Sequence, residues 1–248
     1  MSSNPLIRVE NLHVNFNGKP VLNGLDMEVQ AGEIFVIIGP SGVGKSVLLK
    51  NIIGLLRPNS GRIFLGDSEV TAMTERDLNL LRENVGMVFQ GSALLNSLTV
   101  LDNVALPLRE RHKLSDELIV KRCKQKLALV GLDGSESLIP AELSGGMKKR
   151  VAIARVLAIE PRLILYDEPT VGLDPILAEG VDGLILELKR NIGVTSLVVT
   201  HDLDSAFSLA DRVAMIHEGR FQFVGTPAEC KTSDNPVVKR FTQRGKKY

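Results

Sequence analysis

Two rhythms of apolar residues divide the chain. Ile7-Arg8-Val9-Glu10 alternates, as does the stretch 22–29, with turn residues at Asn17-Gly18 and Ala31-Gly32. A period of two marks strands with one buried face, so these segments predict an antiparallel, partly exposed sheet. Phe35-Val36-Ile37-Ile38 is instead a continuous apolar run ending at Gly39. Such runs mark strands covered on both faces, as in a parallel sheet. A helix is predicted from about Lys45, with Leu48, Leu49, Ile52, Ile53 and Leu56 at helical spacing, stopping between Gly54 and Pro58. Residues 62–65 and 85–89 read as further strands.

The pattern changes at Gly91. Residues 100–108, 116–130 and 145–158 read as helices with few strand signals between them. Ser115 is placed to cap the second, with Asp116 and Glu117 in its first turn, where the helix dipole favours acids. Residues 91–160 are therefore read as a helical insertion. Buried-strand runs return at 163–166 and 196–200, separated by an amphipathic helix over 176–191. A helix over 202–210 leads to a hairpin, 213–217 and 221–224, turning at Glu218-Gly219. The pattern predicts an α/β protein: a mostly parallel sheet, an N-terminal antiparallel β-subdomain and an inserted helical subdomain.

Composition narrows the class. The 248 residues are 44% hydrophobic and 24% charged, ordinary for a globular domain. Thirty Lys and Arg stand against 29 Asp and Glu, a net charge of +1, which argues against duplex nucleic acid as the main partner. The basic stretch 239–247 is read as a solvated terminus. Cys123 and Cys230 lie far apart without metal-ligand spacing and fit a reducing, cytosolic compartment. Residues 1–8 lack the apolar core of a signal peptide, and no run approaches the roughly 20 apolar residues that span a bilayer.

The candidate chemistry sits at strand ends. Gly39-Pro40-Ser41-Gly42-Val43-Gly44-Lys45-Ser46 follows a buried strand and opens a helix. Glycines let backbone N–H groups turn around phosphate oxygens, and the helix presents its positive end. Lys45 would serve the β- and γ-phosphates and Ser46 a magnesium ion. Leu163-Ile164-Leu165-Tyr166-Asp167-Glu168 ends a second strand in two acids. Asp167 suits Mg²⁺ and Glu168 the polarising of an attacking water. His201 and Gln90 follow two more strands, and ligands of parallel sheets gather at the carboxyl ends of strands. Leu143-Ser144-Gly145-Gly146-Met147 opens another helix with free N–H groups suited to an anion.

In this order and combination the motifs resemble those of ABC-transporter ATPases over nearly the whole chain. Phe16 looks like the adenine-stacking aromatic, Gly39–Ser46 like the Walker A loop and 163–167 like the Walker B strand. Gln90 resembles the Q-loop glutamine, Ser144–Met147 the signature, Glu168 the catalytic glutamate, Leu173-Asp174 the D-loop and His201 the switch histidine. Met147 departs from the glutamine usual in the family. The resemblance implies a RecA-like core over 1–90 and 161–230, the helical subdomain over 91–160, and a C-terminal tail over 231–248. It implies a head-to-tail homodimer that sandwiches two ATP molecules. Each lies between Lys45 and its loop on one copy and Ser144, Gly145, Gly146 and Met147 of the other, with Phe16 and Asp174 in the ATP site. Ser46, Asp167 and Gln90 would hold Mg²⁺, with Glu168 and His201 catalytic.

The wording of Phe89-Gln90-Gly91-Ser92-Ala93-Leu94-Leu95-Asn96-Ser97-Leu98-Thr99-Val100, Asp102-Asn103-Val104-Ala105-Leu106-Pro107-Leu108, Leu143-Ser144-Gly145-Gly146-Met147 and Glu168-Pro169-Thr170-Val171-Gly172-Leu173-Asp174-Pro175 is similar to ATPases of the Mla type, which energise phospholipid traffic between bacterial membranes. That implies a multi-span permease (MlaE-like), an MCE substrate-binding protein (MlaD-like) and a STAS-domain protein (MlaB-like), with the chain peripheral on the cytoplasmic face of the inner membrane. The rival readings are the ATPase of an importer for another small substrate, such as an amino acid, and a non-transport ABC ATPase acting on nucleic acid or ribosomes. The absence of a coiled-coil heptad run and of a second cassette weighs against the latter.

Overall fold

The computed structural model describes residues 5–111 and 114–244. Two sheets share them. Strands β1 (Ile7–Phe16), β2 (Lys19–Val29), β4 (Ser60–Leu65) and β5 (Ser68–Glu69) form an antiparallel sheet in the order β2-β1-β4-β5. The second sheet contains β3 (Ile34–Ile38), β6 (Val85–Val88), β7 (Leu163–Asp167), β8 (Thr195–Thr200), β9 (Arg212–His217) and β10 (Arg220–Gly225), in the order β10-β9-β3-β8-β7-β6. Every pairing in it is parallel except the β9–β10 hairpin.

Both faces of this second sheet are covered, which is why its central strands read as unbroken apolar runs. Successive residues still face opposite ways. Ile34, Val36, Ile38, Ile164, Tyr166 and Val198 join the core shared with the helices of the insertion. Phe35, Ile37, Leu163, Leu165, Leu197 and Val199 join the core beneath the antiparallel sheet and helix α1 (Lys45–Ile52).

The insertion carries α3 (Val100–Arg111), α4 (Asp116–Leu129) and α5 (Gly145–Leu157), which pack on one another through Val104, Leu108, Ile119, Cys123, Leu127 and Val151. Ser115 caps α4 by accepting the Leu118 N–H. Helix α6 (Pro175–Ile192) crosses back to β8, and α7 (Leu203–Leu209) joins β8 to β9.

Two regions differ from the sequence reading. Between β5 and β6 the chain forms a short 3₁₀ turn, Val70–Ala72, and helix α2 (Glu75–Leu81), whose start is fixed by a capping box between Thr74 and Asp77. The C-terminal segment is also more structured than a solvated terminus. Helices α8 (Pro227–Thr232) and α9 (Pro236–Arg244) follow β10. Val238 is fully buried, with Val237 and Phe241 packed against the same core. Lys239 and Arg240 are exposed on the outer side of α9, so the charged residues and the apolar anchor share one helix. Residues 245–248 lie outside the described part. No described helix is long and apolar enough to cross a membrane. Cys123 and Cys230 are buried free thiols, and burial pushes each up to about 11.

Candidate functional site

Adjacent parallel strands bring three distant segments to one edge. Because β3 pairs with β8 and β8 with β7, the chain leaves all three strands on the same side, at Gly39, Asp167 and His201. Two glycines of the loop after β3 have no room for a side chain. A Cβ on Gly39 would stand 2.5 Å from the Ile216 carbonyl oxygen. Gly44 has φ +104°, and a Cβ there would meet Leu22 Cδ2 at 2.8 Å and Val21 Cγ1 at 2.9 Å. Gly44 is also the N-cap of α1 and offers no side-chain cap, so the first N–H groups of α1 are left to an external acceptor. Pro40, Ser41 and Gly42 form the exposed tip, with Val43 half-buried behind them.

Lys45, the first residue of α1, is buried and doubles back over the loop. Its Nζ donates to the carbonyls of Gly39 at 2.7 Å and Pro40 at 3.1 Å, and lies 3.3 Å from Glu168 Oε1. Ser46 donates its hydroxyl to Asp167 Oδ1 at 2.6 Å. Glu168 continues the β8 pairing, donating its N–H to the Val199 carbonyl at 2.9 Å, but its backbone has turned into the left-handed region at φ +49°. Such a conformation in a non-glycine residue is held by its surroundings. Its Oε2 accepts the His201 backbone N–H at 3.2 Å and lies 2.9 Å from His201 Nδ1. A buried carboxylate is thus matched by a cation and by N–H donors, as burial of charge requires. Lys45, Ser46, Asp167, Glu168 and His201 form one connected cluster.

The other predicted site residues stand apart. Among the described residues, no hydrogen bond or ion pair joins Phe16, Asp174 or Ser144–Met147 to that cluster. Phe16 is 45% exposed at the end of β1. Ser144 caps α5 through the Met147 N–H at 3.2 Å, and Asp174 caps α6 through the Leu177 N–H at 3.0 Å. A Cβ on Gly145 would sit 3.0 Å from Leu173 Cδ2, and one on Gly146 3.2 Å from Leu177 Cδ2, so the signature segment abuts the start of α6. Met147 packs partly buried on the larger core. Gln90 exposes its side chain and is tied in through its carbonyl, which accepts from Lys149 Nζ.

Sequence reasoning gave no role to three residues that hold the segments after β6 and β7. Lys149 is 5% exposed and also reaches the Glu168 carbonyl at 3.4 Å. Arg155 donates to the Ser92 carbonyl at 2.7 Å and the Ala93 carbonyl at 2.6 Å, both residues having positive φ. Asn103, fully buried, accepts the Leu95 N–H at 2.8 Å, and its Nδ2 lies 2.9–3.2 Å from the carbonyls of Leu95, Leu98 and Thr99. For Lys149 a signal existed. Positions 149, 152, 153 and 156 form the apolar stripe of α5, and the lysine falls on it.

A glycine loop running into a helix after a buried strand, with its lysine and serine joined to an acid pair on a neighbouring strand, defines a P-loop nucleotide-binding cassette. The chain belongs to the ABC transporter family, whose sequence profile matches residues 22–171. It is 39% identical over 236 residues to the intermembrane phospholipid transport system ATP-binding protein MlaF of Haemophilus influenzae, covering 95% of this chain and 89% of the relative. It is also 39% identical over 235 residues to the probable ribonucleotide transport ATP-binding protein Mkl of Mycobacterium tuberculosis. That match covers 95% of this chain and 66% of the relative, so the chain spans just under two thirds of the mycobacterial protein. Among solved structures it resembles the dimeric, ADP- and phosphate-bound post-hydrolysis state of the ATP-binding cassette MJ0796. The TM-score is 0.82 at 32% identity, over 89% of this chain and 98% of that one.

Proposed function

We propose that the chain binds and hydrolyses ATP as a homodimer and thereby energises phospholipid transport between membranes. The observation that carries the ATPase reading is the connected cluster of Lys45, Ser46, Asp167, Glu168 and His201 at the carboxyl ends of β3, β7 and β8. In it the loop N–H groups and Lys45 take the phosphates. Glu168, oriented by His201, accepts a proton from the attacking water. The donors fit magnesium: Ser46 Oγ and Asp167 Oδ1 are hard oxygens already side by side. With the substrate phosphates they suit an ion bound by few protein ligands, and Gln90 follows the next strand end. Magnesium would neutralise phosphate charge.

Dimerisation is supported by the placement of the signature. Ser144–Met147 make no bond to the Lys45 cluster of their own chain, and the structural relative is described as dimeric. A second copy would supply them, together with its Asp174, to nucleotide stacked on Phe16. The lipid reading is supported by the similarity to MlaF over 89% of that protein's length. On this reading residues 91–160 receive a transmembrane permease, with MCE and STAS-domain proteins in the same assembly, and the ATPase lies peripherally at the cytoplasmic face of the inner membrane. A second reading, transport of a soluble substrate, is favoured by the equal identity to Mkl.

Glu168→Gln tests the first reading. ATP binding should persist while turnover falls about 100-fold or more, with an ATP-dependent dimer on size exclusion. Turnover at the wild-type rate would refute it. Purification of the intact membrane complex tests the second part. Bound phospholipid with an MCE subunit supports lipid transport, and a soluble solute-binding subunit in its place overturns it.

A further inference from the structure

We propose that Lys149 is a positioning residue for hydrolysis, tying the backbone of Gln90 to that of Glu168 so that the signature helix fixes the catalytic carboxylate of its own chain. The inference rests on the ATPase reading above.

The geometry is specific. Lys149 is the fifth residue of α5, whose first three are Gly145, Gly146 and Met147 of the signature. Lys149 is 5% exposed, and its ammonium meets two main-chain oxygens, those of Gln90 and Glu168. One cation therefore bridges the loop after β6 and the turn after β7. Glu168 is held from both sides, its carboxylate 3.3 Å from Lys45 and its carbonyl 3.4 Å from Lys149. The turn there is the φ +49° conformation that sends the glutamate side chain back toward Lys45 and His201. That conformation is costly for a non-glycine residue, and the Lys149 bond to its carbonyl is one of the contacts that offset it.

The loop on the other side of the bridge is stiffened by the same helix, because Arg155 grips Ser92 and Ala93. Movement of the signature end, or of the 90–93 loop, therefore reaches Glu168 through Lys149. Lys149 never approaches the phosphates in this scheme; it acts through Glu168.

The test compares Lys149→Met and Lys149→Arg with the wild-type full chain. Steady-state hydrolysis gives kcat and KM, ATP affinity is measured by calorimetry, and a thermal melt follows the fold. Methionine fills similar volume but leaves the two carbonyls without their donor, so the melt separates a loss of stability from a loss of turnover. Positioning predicts a kcat about tenfold or more lower in Lys149→Met, with KM and ATP affinity within about twofold of wild type. Arginine, which can donate to both carbonyls, should return kcat to within about threefold. An unchanged kcat in Lys149→Met overturns the proposal. So does a parallel loss of affinity, melting temperature and kcat in both variants, which marks a merely structural lysine. Wild-type chain that binds ATP without hydrolysing it would instead overturn the ATPase reading itself.

Discussion

Asp182 gives a sharp test of how charge is buried between α6 and α7. It lies on α6, 7% exposed, and accepts the Ser205 hydroxyl of α7 at 2.8 Å. Burial is the main cause that pushes its carboxyl up to about 6, and the Asp202 charge adds to it, while the Ser205 bond opposes the rise. The ordinary value is 3.8. A shift near two units corresponds to about 3 kcal/mol at 1.36 kcal/mol per unit, and relaxation around the ionised group would cut this to about 1–2 kcal/mol. The sign follows from proton counting. Between pH 4 and 6 the folded chain holds this proton and the unfolded chain has released it, so stability falls as pH rises through that window. Above it the ionised Asp182 is a standing cost.

Asp182→Asn removes the charge and keeps an oxygen for Ser205. The variant should therefore melt about 2–8 °C above wild type at pH 7.5, and the difference should shrink toward zero at pH 4. Far-UV circular dichroism melts of both proteins across pH 4–8 measure this, and groups titrating equally in both cancel in the difference. A difference that is flat with pH, or that grows on acidification, would show that Asp182 is not a destabilised carboxylate.

Other substitutions probe the loop and its supports. Asn103→Ala strips the buried partner from the Leu95 N–H and from carbonyls of the 95–99 segment; a loss of about 2–3 kcal/mol is expected in urea titration, and an unchanged midpoint would contradict it. Gly44→Ala forces a Cβ against Leu22 and Val21 at a positive φ, so ATP affinity measured by calorimetry should fall at least about tenfold. Ser46→Ala removes a proposed magnesium ligand: hydrolysis should need several-fold more Mg²⁺, while ATP affinity without the metal stays within about twofold. Equal Mg²⁺ requirements in variant and wild type would count against that role.

The sheet was legible because its physics is one-dimensional. A strand covered on both faces must be apolar throughout, and Phe35–Ile38 and Leu163–Tyr166 show it directly. The segment from Gly66 to Asn84 was not, because β5 is two residues long and α2 stands on a capping box with one buried side chain, Leu78. Periodicity needs more turns than that to rise above chance. In α9 the charges of Lys239 and Arg240 hid the apolar set Val237, Val238 and Phe241, although positions i and i+4 were on view throughout.

The same reasoning explains which parts of the site could be read in advance. Lys45, Ser46, Asp167 and Glu168 were legible because their side chains meet one another, Lys45 with Glu168 and Ser46 with Asp167, so chemistry restricts the residue type at both ends of the contact. Lys149, Arg155 and Asn103 were not, because their partners are the carbonyls and N–H groups of residues 90–99 and of Glu168. Every residue carries those groups, so the receiving end leaves no mark in the sequence. Only the donor does, and Lys148-Lys149-Arg150 looks like a solvated basic run until the helix is drawn and Lys149 falls on the stripe with Ala152, Ile153 and Val156. A charged residue on the apolar stripe of a helix must find acceptors inside the protein. Where that helix begins at a ligand-binding segment, its acceptors are the place to look for the residues that hold the chemistry in position.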